Sequence, residues 1–207
     1  MSIWSRFTAP QGRPWRVAVA VGVAALVVVA WWWWPTFTGQ AGGTDVVIVG
    51  DDFLAISERE VTYRVHEDGF SVAWAPSITS WCDAPAAVSA AVAEHEPTRI
   101  VVSALEIGDC GTPGTDLRRQ VAAAAEGTRL VVVVQPGDDA SAQDFAETDA
   151  IVVRPQRLLG LPDAVEQSCQ WWDTCQPNGQ ITVRDASGVL TPEGTTRVAR
   201  MIVPALR

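Results

Sequence analysis

The chain has 207 residues, 48% of them hydrophobic, and a formal net charge of −9. That length suits one domain of ~100–200 residues with a segment to spare, and therefore one hydrophobic core. Basic residues beyond the N-terminus are scattered, with Arg118 and Arg119 the only adjacent pair, so no cationic stripe exists for a phosphate backbone and nucleic acid is excluded as a partner.

The first 16 residues carry Arg6, Arg13 and Arg16, and Val17 to Trp34 then form a run of 18 uncharged residues. As a helix this run would span about 27 Å, close to the hydrocarbon thickness of a bilayer. The arginines before it, with no Lys or Arg in the next two dozen residues, predict a cytoplasmic N-terminus and an extracytoplasmic remainder. Trp31, Trp32, Trp33 and Trp34 suit the interfacial aromatic belt, and Pro35 closes the helix. A cleaved signal peptide is the alternative; the four bulky Trp residues stand where cleavage needs small ones, which favours a retained anchor. The Gly-containing stretch 35–44 reads as a flexible link.

Residues 45–207 form the outer domain. Short branched apolar runs predict strands at Val46 to Val49, Ser71 to Ala75, Ile100 to Leu105, Leu130 to Val134 and Ile151 to Val153. Helices are predicted at Phe53 to Glu60, Ala84 to Glu94, Asp116 to Glu126, Ala142 to Glu147 and Thr191 to Ala205. Tyr63 to Asp68, with His66, reads as a polar turn. The alternation predicts an α/β fold, a three-layer α/β/α sandwich with a mainly parallel, flavodoxin-like sheet, whose ligand crevice lies at the carboxyl ends of the strands. The loops starting at Gly50, Ala75, Glu106, Gln135 and Arg154 are thus where chemistry is expected.

Cys82, Cys110, Cys169 and Cys175 all follow the anchor, where oxidation is permitted, so two disulfides are expected. Cys169 and Cys175 enclose a loop short enough to close locally, which leaves Cys82 to join Cys110. A zinc site competes, but the spacing is not that of a finger or ribbon, and His66 and His95 lie far from any Cys in sequence; no metal and no cofactor are expected.

Val46-Val47-Ile48-Val49-Gly50-Asp51-Asp52-Phe53 resembles the first block of the SGNH/GDSL hydrolases, in which a strand runs into Gly-Asp-Ser, except that Asp52 stands where the serine would be. Ser187-Gly188-Val189-Leu190-Thr191-Pro192-Glu193-Gly194 is similar to the last block, Asp-Gly-Val-His-Leu-Thr-Pro-Glu-Gly, with its second half intact and Val189 at the histidine position. In the middle, Glu106-Ile107-Gly108-Asp109-Cys110 puts Gly108 where the oxyanion-donating Asn would fall, and Ala75-Pro76-Ser77-Ile78-Thr79-Ser80 lacks the Gly of the second block.

The resemblance therefore implies the fold without the catalytic set. Acyl transfer needs a hydroxyl nucleophile, an oriented histidine and donors aimed at the oxyanion, and a carboxylate at position 52 would repel that oxyanion. The implied role is a non-catalytic domain of the bacterial cell envelope, a binder of glycan or glycolipid or an accessory subunit of a membrane complex. An esterase or acyltransferase with a displaced catalytic set is a second reading, and a purely structural partner of membrane proteins a third. Candidate ligand-binding residues are Asp51, Asp52, Glu106 and Asp109, whose carboxylates can converge at the strand ends, and Trp171 and Trp172, which can stack on sugar rings. Each has a structural alternative: Asp51 as a helix cap, Asp109 as a turn residue, the two Trp as cover for a core edge. Both histidines read as surface positions.

Overall fold

A computed structural model describes residues 44–103, 110, 113–136 and 138–207. The proposed anchor, most of the linker, and Glu106, Gly108 and Asp109 lie outside the described residues. Among those described, no helix is long and apolar enough to cross a membrane.

Five parallel strands, β1 (Val46–Val49), β2 (Val72–Trp74), β3 (Arg99–Val102), β4 (Arg129–Val133) and β5 (Ile151–Val153), form one sheet in the order β2-β1-β3-β4-β5. This is one of the common doubly wound orders, with its switch point between β1 and β3. The strands are apolar on both faces because both faces are covered. On one side Val46, Ile48, Val101, Val131 and Val133 pack with Val61 and Val65 of α2 (Glu58–Glu67) and with Val198, Ile202 and Val203 of α7 (Pro192–Ala205). On the other, Val47, Val49, Ile100, Val102 and Val132 meet α3 (Ala84–His95), α4 (Gly114–Ala124) and α5 (Asp139–Ala146) through Val88, Leu117, Val121 and Phe145. Each such aliphatic side chain, fully buried, contributes roughly 1.5–3 kcal/mol.

The region after β1 departs from expectation. The helix predicted for Phe53 to Glu60 breaks at buried Ser57 into α1 (Asp52–Ile56) and α2. The stretch read as a polar turn, Tyr63 to Asp68, is helical through Glu67. Its exposed face is held by Arg64 to Glu60 at 3.0 Å, Arg64 to Glu67 at 3.3 Å and Tyr63 to Glu67 at 2.8 Å, while Val61 and Val65, one turn apart, are buried. A short helix, α6 (Gln156–Leu159), and an antiparallel pair, β6 (Glu166–Ser168) with β7 (Gln180–Thr182), complete the fold and were not foreseen.

Both disulfides form as expected, Cys82 with Cys110 and Cys169 with Cys175. The second closes the loop after β6, which is also pinned from below. Asp173 in that loop pairs with Arg197 of α7, whose guanidinium donates to the Leu158 carbonyl at 2.6 Å and the Ser168 carbonyl at 2.8 Å.

Candidate functional site

The site begins with Asp51, two residues past the end of β1. Its backbone is extended, so its side chain turns back to cap α1, Oδ1 accepting from the Leu54 amide at 3.1 Å. Oδ2 accepts from the Ser103 hydroxyl at 3.2 Å and from Gln135 Nε2 at 2.8 Å. Three strand ends, those of β1, β3 and β4, are thereby tied together by one buried carboxylate. Burial pushes the Asp51 carboxyl above the usual range, and the bonds from Leu54, Ser103 and Gln135 pull it partly back. The structural alternative holds for this residue: Asp51 is a cap and a strand-end tie, shut off from solvent.

Asp52, the next residue, points the other way in its exposure. It stands in the first turn of α1 and lines a groove of about 670 Å³ at the carboxyl ends of the strands. The opposite end of the domain supplies much of the remaining wall, Arg184 and Ser187 to Leu190, with Gln135, Pro136, Asp138 and Pro162 between. Phe53 and the exposed Ile56 and Val189 give it apolar surface. The two ends of the chain that carry the SGNH-type resemblance thus border one groove, with Asp52 and Val189 both on its surface.

The local structure explains what survives of the last sequence block. Asp185 folds the turn before α7: its carboxylate accepts from the Ser187 amide at 2.9 Å, the Ser187 hydroxyl at 2.6 Å and the Val189 amide at 3.0 Å. These bonds, the Ser187 hydroxyl first, hold the Asp185 carboxyl below its ordinary range. Thr191 caps α7 by accepting from the Gly194 amide at 3.1 Å and donates to the Thr182 carbonyl at 2.7 Å. Gly194 packs so closely that a Cβ would collide with the Val183 carbonyl oxygen. Leu-Thr-Pro-Glu-Gly is therefore a docking device for the helix, independent of any histidine in front of it.

Arg184 completes the wall as a fixed cation. Its Nη1 donates to the carbonyls of Leu159, Leu161 and Ala164 at 2.8, 3.1 and 3.0 Å. Burial lowers its pKa, opposed by the charge of Asp163.

Of the residues expected to act, the structure brings Asp52 and Val189 to the groove and buries Asp51 beside it. Trp171 and Trp172 line a separate groove, and neither histidine lines either one. His66 lies on exposed α2 against the Phe70 carbonyl, and His95 ends α3. Gln135 is expected only as the start of a loop, and Ser103, Asp138 and Arg184 are not expected at all; Ser103 directly follows β3 and Asp138 caps α5, which is the signal the sequence offers for them, while Arg184, two residues past the polar strand β7, carries none. Among the described residues no group of His, Cys, Asp or Glu is placed to hold a metal ion. No known family model matches the chain, and no curated protein matches it by sequence.

Proposed function

We propose that this chain is a membrane-tethered, extracytoplasmic domain of SGNH-like descent that binds a bacterial envelope glycan or glycolipid in the strand-end groove without hydrolysing it. The single observation carrying the reading is that Asp52 and Val189, the positions where the resemblance expects nucleophile and base, border the same groove. A groove with Phe53, Ile56 and Val189 on its walls and Asp52, Asp138 and Gln135 among them suits a sugar: apolar faces meet the ring C–H surface and carboxylates accept its hydroxyls.

The same residues argue against turnover. The Val189 side chain has no lone pair with which to take a proton, and Asp52 offers a carboxylate in place of a hydroxyl nucleophile. The tether rests on the uncharged run Val17 to Trp34 and the arginines before it. The domain then works beside the membrane, either alone or as the glycan-holding subunit of a membrane complex.

The test is glycan capture by the full chain in detergent, read beside fluorophosphonate labelling. The expected result is capture of neutral envelope oligosaccharides that Asp52→Ala weakens, with no label incorporated. Ester hydrolysis that disappears in Asp52→Ala would overturn the reading and make the protein an esterase with a displaced catalytic set.

A further inference from the structure

A second groove, of about 320 Å³, lies between α2 and α7 and the Cys169–Cys175 loop, and it shares no lining residue with the first. Trp171 stands at its rim with 89% of its surface exposed. An indole so exposed is ordinary when isolated, but this one is part of a built platform. Its ring meets Trp172 edge-on at 5.4 Å, and the Arg200 guanidinium lies over the Trp172 ring at 5.4 Å. The loop that carries both indoles is held by its disulfide and by the buried Asp173–Arg197 pair. The exposed ring is therefore presented on a rigid support.

The charges of this groove are unevenly matched. Arg64 is paired with Glu60 and Glu67, and Arg207 with Asp68. Arg200 has no carboxylate partner among the described residues. Its Nε–H and the Trp172 indole N–H are buried without any hydrogen-bond partner. A buried unpaired N–H is destabilising. A guanidinium stacked on an aromatic ring keeps its edge free for two parallel bonds to a carboxylate.

We infer that this groove is a binding site for an acidic saccharide, one sugar ring stacked on Trp171 and the carboxylate of a uronate held at Arg200. The site is independent of the strand-end groove. It gives the domain a way to select an anionic glycan that the acidic strand-end groove, with Asp52 and Asp138, does not provide.

The experiment is calorimetric titration of the full chain in detergent micelles with tetragalacturonate and tetraglucuronate, each against a neutral tetrasaccharide of the same length. At least one uronate is expected to bind at least about tenfold more tightly than its neutral counterpart, and Trp171→Ala to weaken it by about tenfold or more. Trp171 is exposed, so its loss leaves the fold intact. Arg200→Gln removes the preference for acid over neutral sugar, and Arg200→Lys, which keeps charge but not the fork, restores only part of it. Asp52→Ala leaves uronate binding unchanged. Absence of binding by both uronates, equal affinity for acidic and neutral sugars in the Asp52→Ala chain, or indifference to Trp171→Ala overturns the proposal. Loss of uronate binding in Asp52→Ala overturns it too, by placing the acid in the strand-end groove.

Discussion

The Arg197 guanidinium and the Asp173 carboxylate pair inside the domain, with both side chains almost entirely removed from water. One partner belongs to the last helix and the other to the loop closed by Cys169 and Cys175. The pair explains how a loop without apolar residues beyond Trp171 and Trp172 keeps a fixed position. Arg197 also satisfies carbonyls of α6 and β6, so one side chain ties α6, β6 and the disulfide loop to α7.

Asp173→Ala leaves that arginine buried and short of its counter-charge. Breaking one side of a buried pair costs about 3–5 kcal/mol, and the two remaining carbonyl acceptors place this case near the lower value. A domain of this size then melts about 6–12 °C lower. Arg197→Met combined with Asp173→Ala recovers part of the loss because the orphan charge is gone. Thermal unfolding followed by near-ultraviolet circular dichroism checks both, and an unchanged midpoint in Asp173→Ala refutes the argument.

Asp51 makes stability depend on pH in the opposite sense from Asp45 and Asp185. Its pKa is raised in the fold by burial, so the native state holds the proton more readily than the unfolded chain. Its contribution is most favourable below the ordinary Asp range, near pH 4, and is lost as pH rises through the raised folded value. Asp45 and Asp185, whose pKa values are lowered by bonds from Ser71 and Ser187, work the other way: their contributions are present above the ordinary range and are lost as pH falls through the folded values. Asp51→Asn keeps an acceptor for the Leu54 amide and removes the buried charge. Its stability is expected to fall less than the native chain's as pH rises from about 4 to 7. Asp51→Ala loses the cap and leaves Ser103 and Gln135 with only their own 3.5 Å bond, costing about 2–3 kcal/mol. Urea unfolding at a series of pH values measures these differences; parallel curves for native chain and Asp51→Asn would show that the charge is not the cause.

The two disulfides differ in what they constrain. In the chain-entropy account a span of 28 residues, Cys82 to Cys110, is worth about 3.6 kcal/mol and a span of 6, Cys169 to Cys175, about 2.2. Replacing the first pair with Ser therefore lowers stability more than replacing the second. Denaturant midpoints of the two double variants give the order, and the reverse order would mean that the small loop carries more of the fold than its entropy.

Most of the sheet was legible because its signal is coarse. Parallel strands buried on both faces need unbroken apolar runs, and Val46 to Val49 or Leu130 to Val133 admit little else. What escaped was held by polar side chains whose partners are distant in sequence. Glu166 to Ser168 and Gln180 to Thr182 have no apolar alternation, and their pairing is fixed by a ladder that composition does not encode. Tyr63 to Asp68 is dense in charge and so resembles a turn, while the spacing of Val61 and Val65 carries the helix. The groove was half legible: both ends were marked by Gly50-Asp51-Asp52 and by Leu190 to Gly194. The tie of Asp51 to Ser103 and Gln135 exists only where three strand ends meet, and Arg184 is fixed only by carbonyls 20 to 25 residues earlier in the chain.

Placing a serine and a histidine at the two positions that the SGNH-type resemblance assigns to nucleophile and base tests whether the groove can host that chemistry. Asp52 is exposed and Val189 is 44% exposed, so Asp52→Ser and Val189→His are accommodated with little change in stability, about 0.5 kcal/mol or less. Asp185 holds the turn through the backbone amide of Val189, and that bond survives a change of side chain. The variants therefore report on chemistry and not on folding. Asp52→Ser alone has no base, and Val189→His alone has no nucleophile; because such groups act as a unit, neither is expected to hydrolyse an ester above background. The double variant has both but still lacks the Asn donor, for which the sequence has Gly108, and the Gly of the second block, and one missing oxyanion donor lowers the rate by about 10²–10³. Slow, fluorophosphonate-sensitive hydrolysis in the double variant alone is the expected outcome. Activity in the native chain that Asp52→Ala removes would mean that the carboxylate itself performs the reaction, and the groove would then be an active site of a different design.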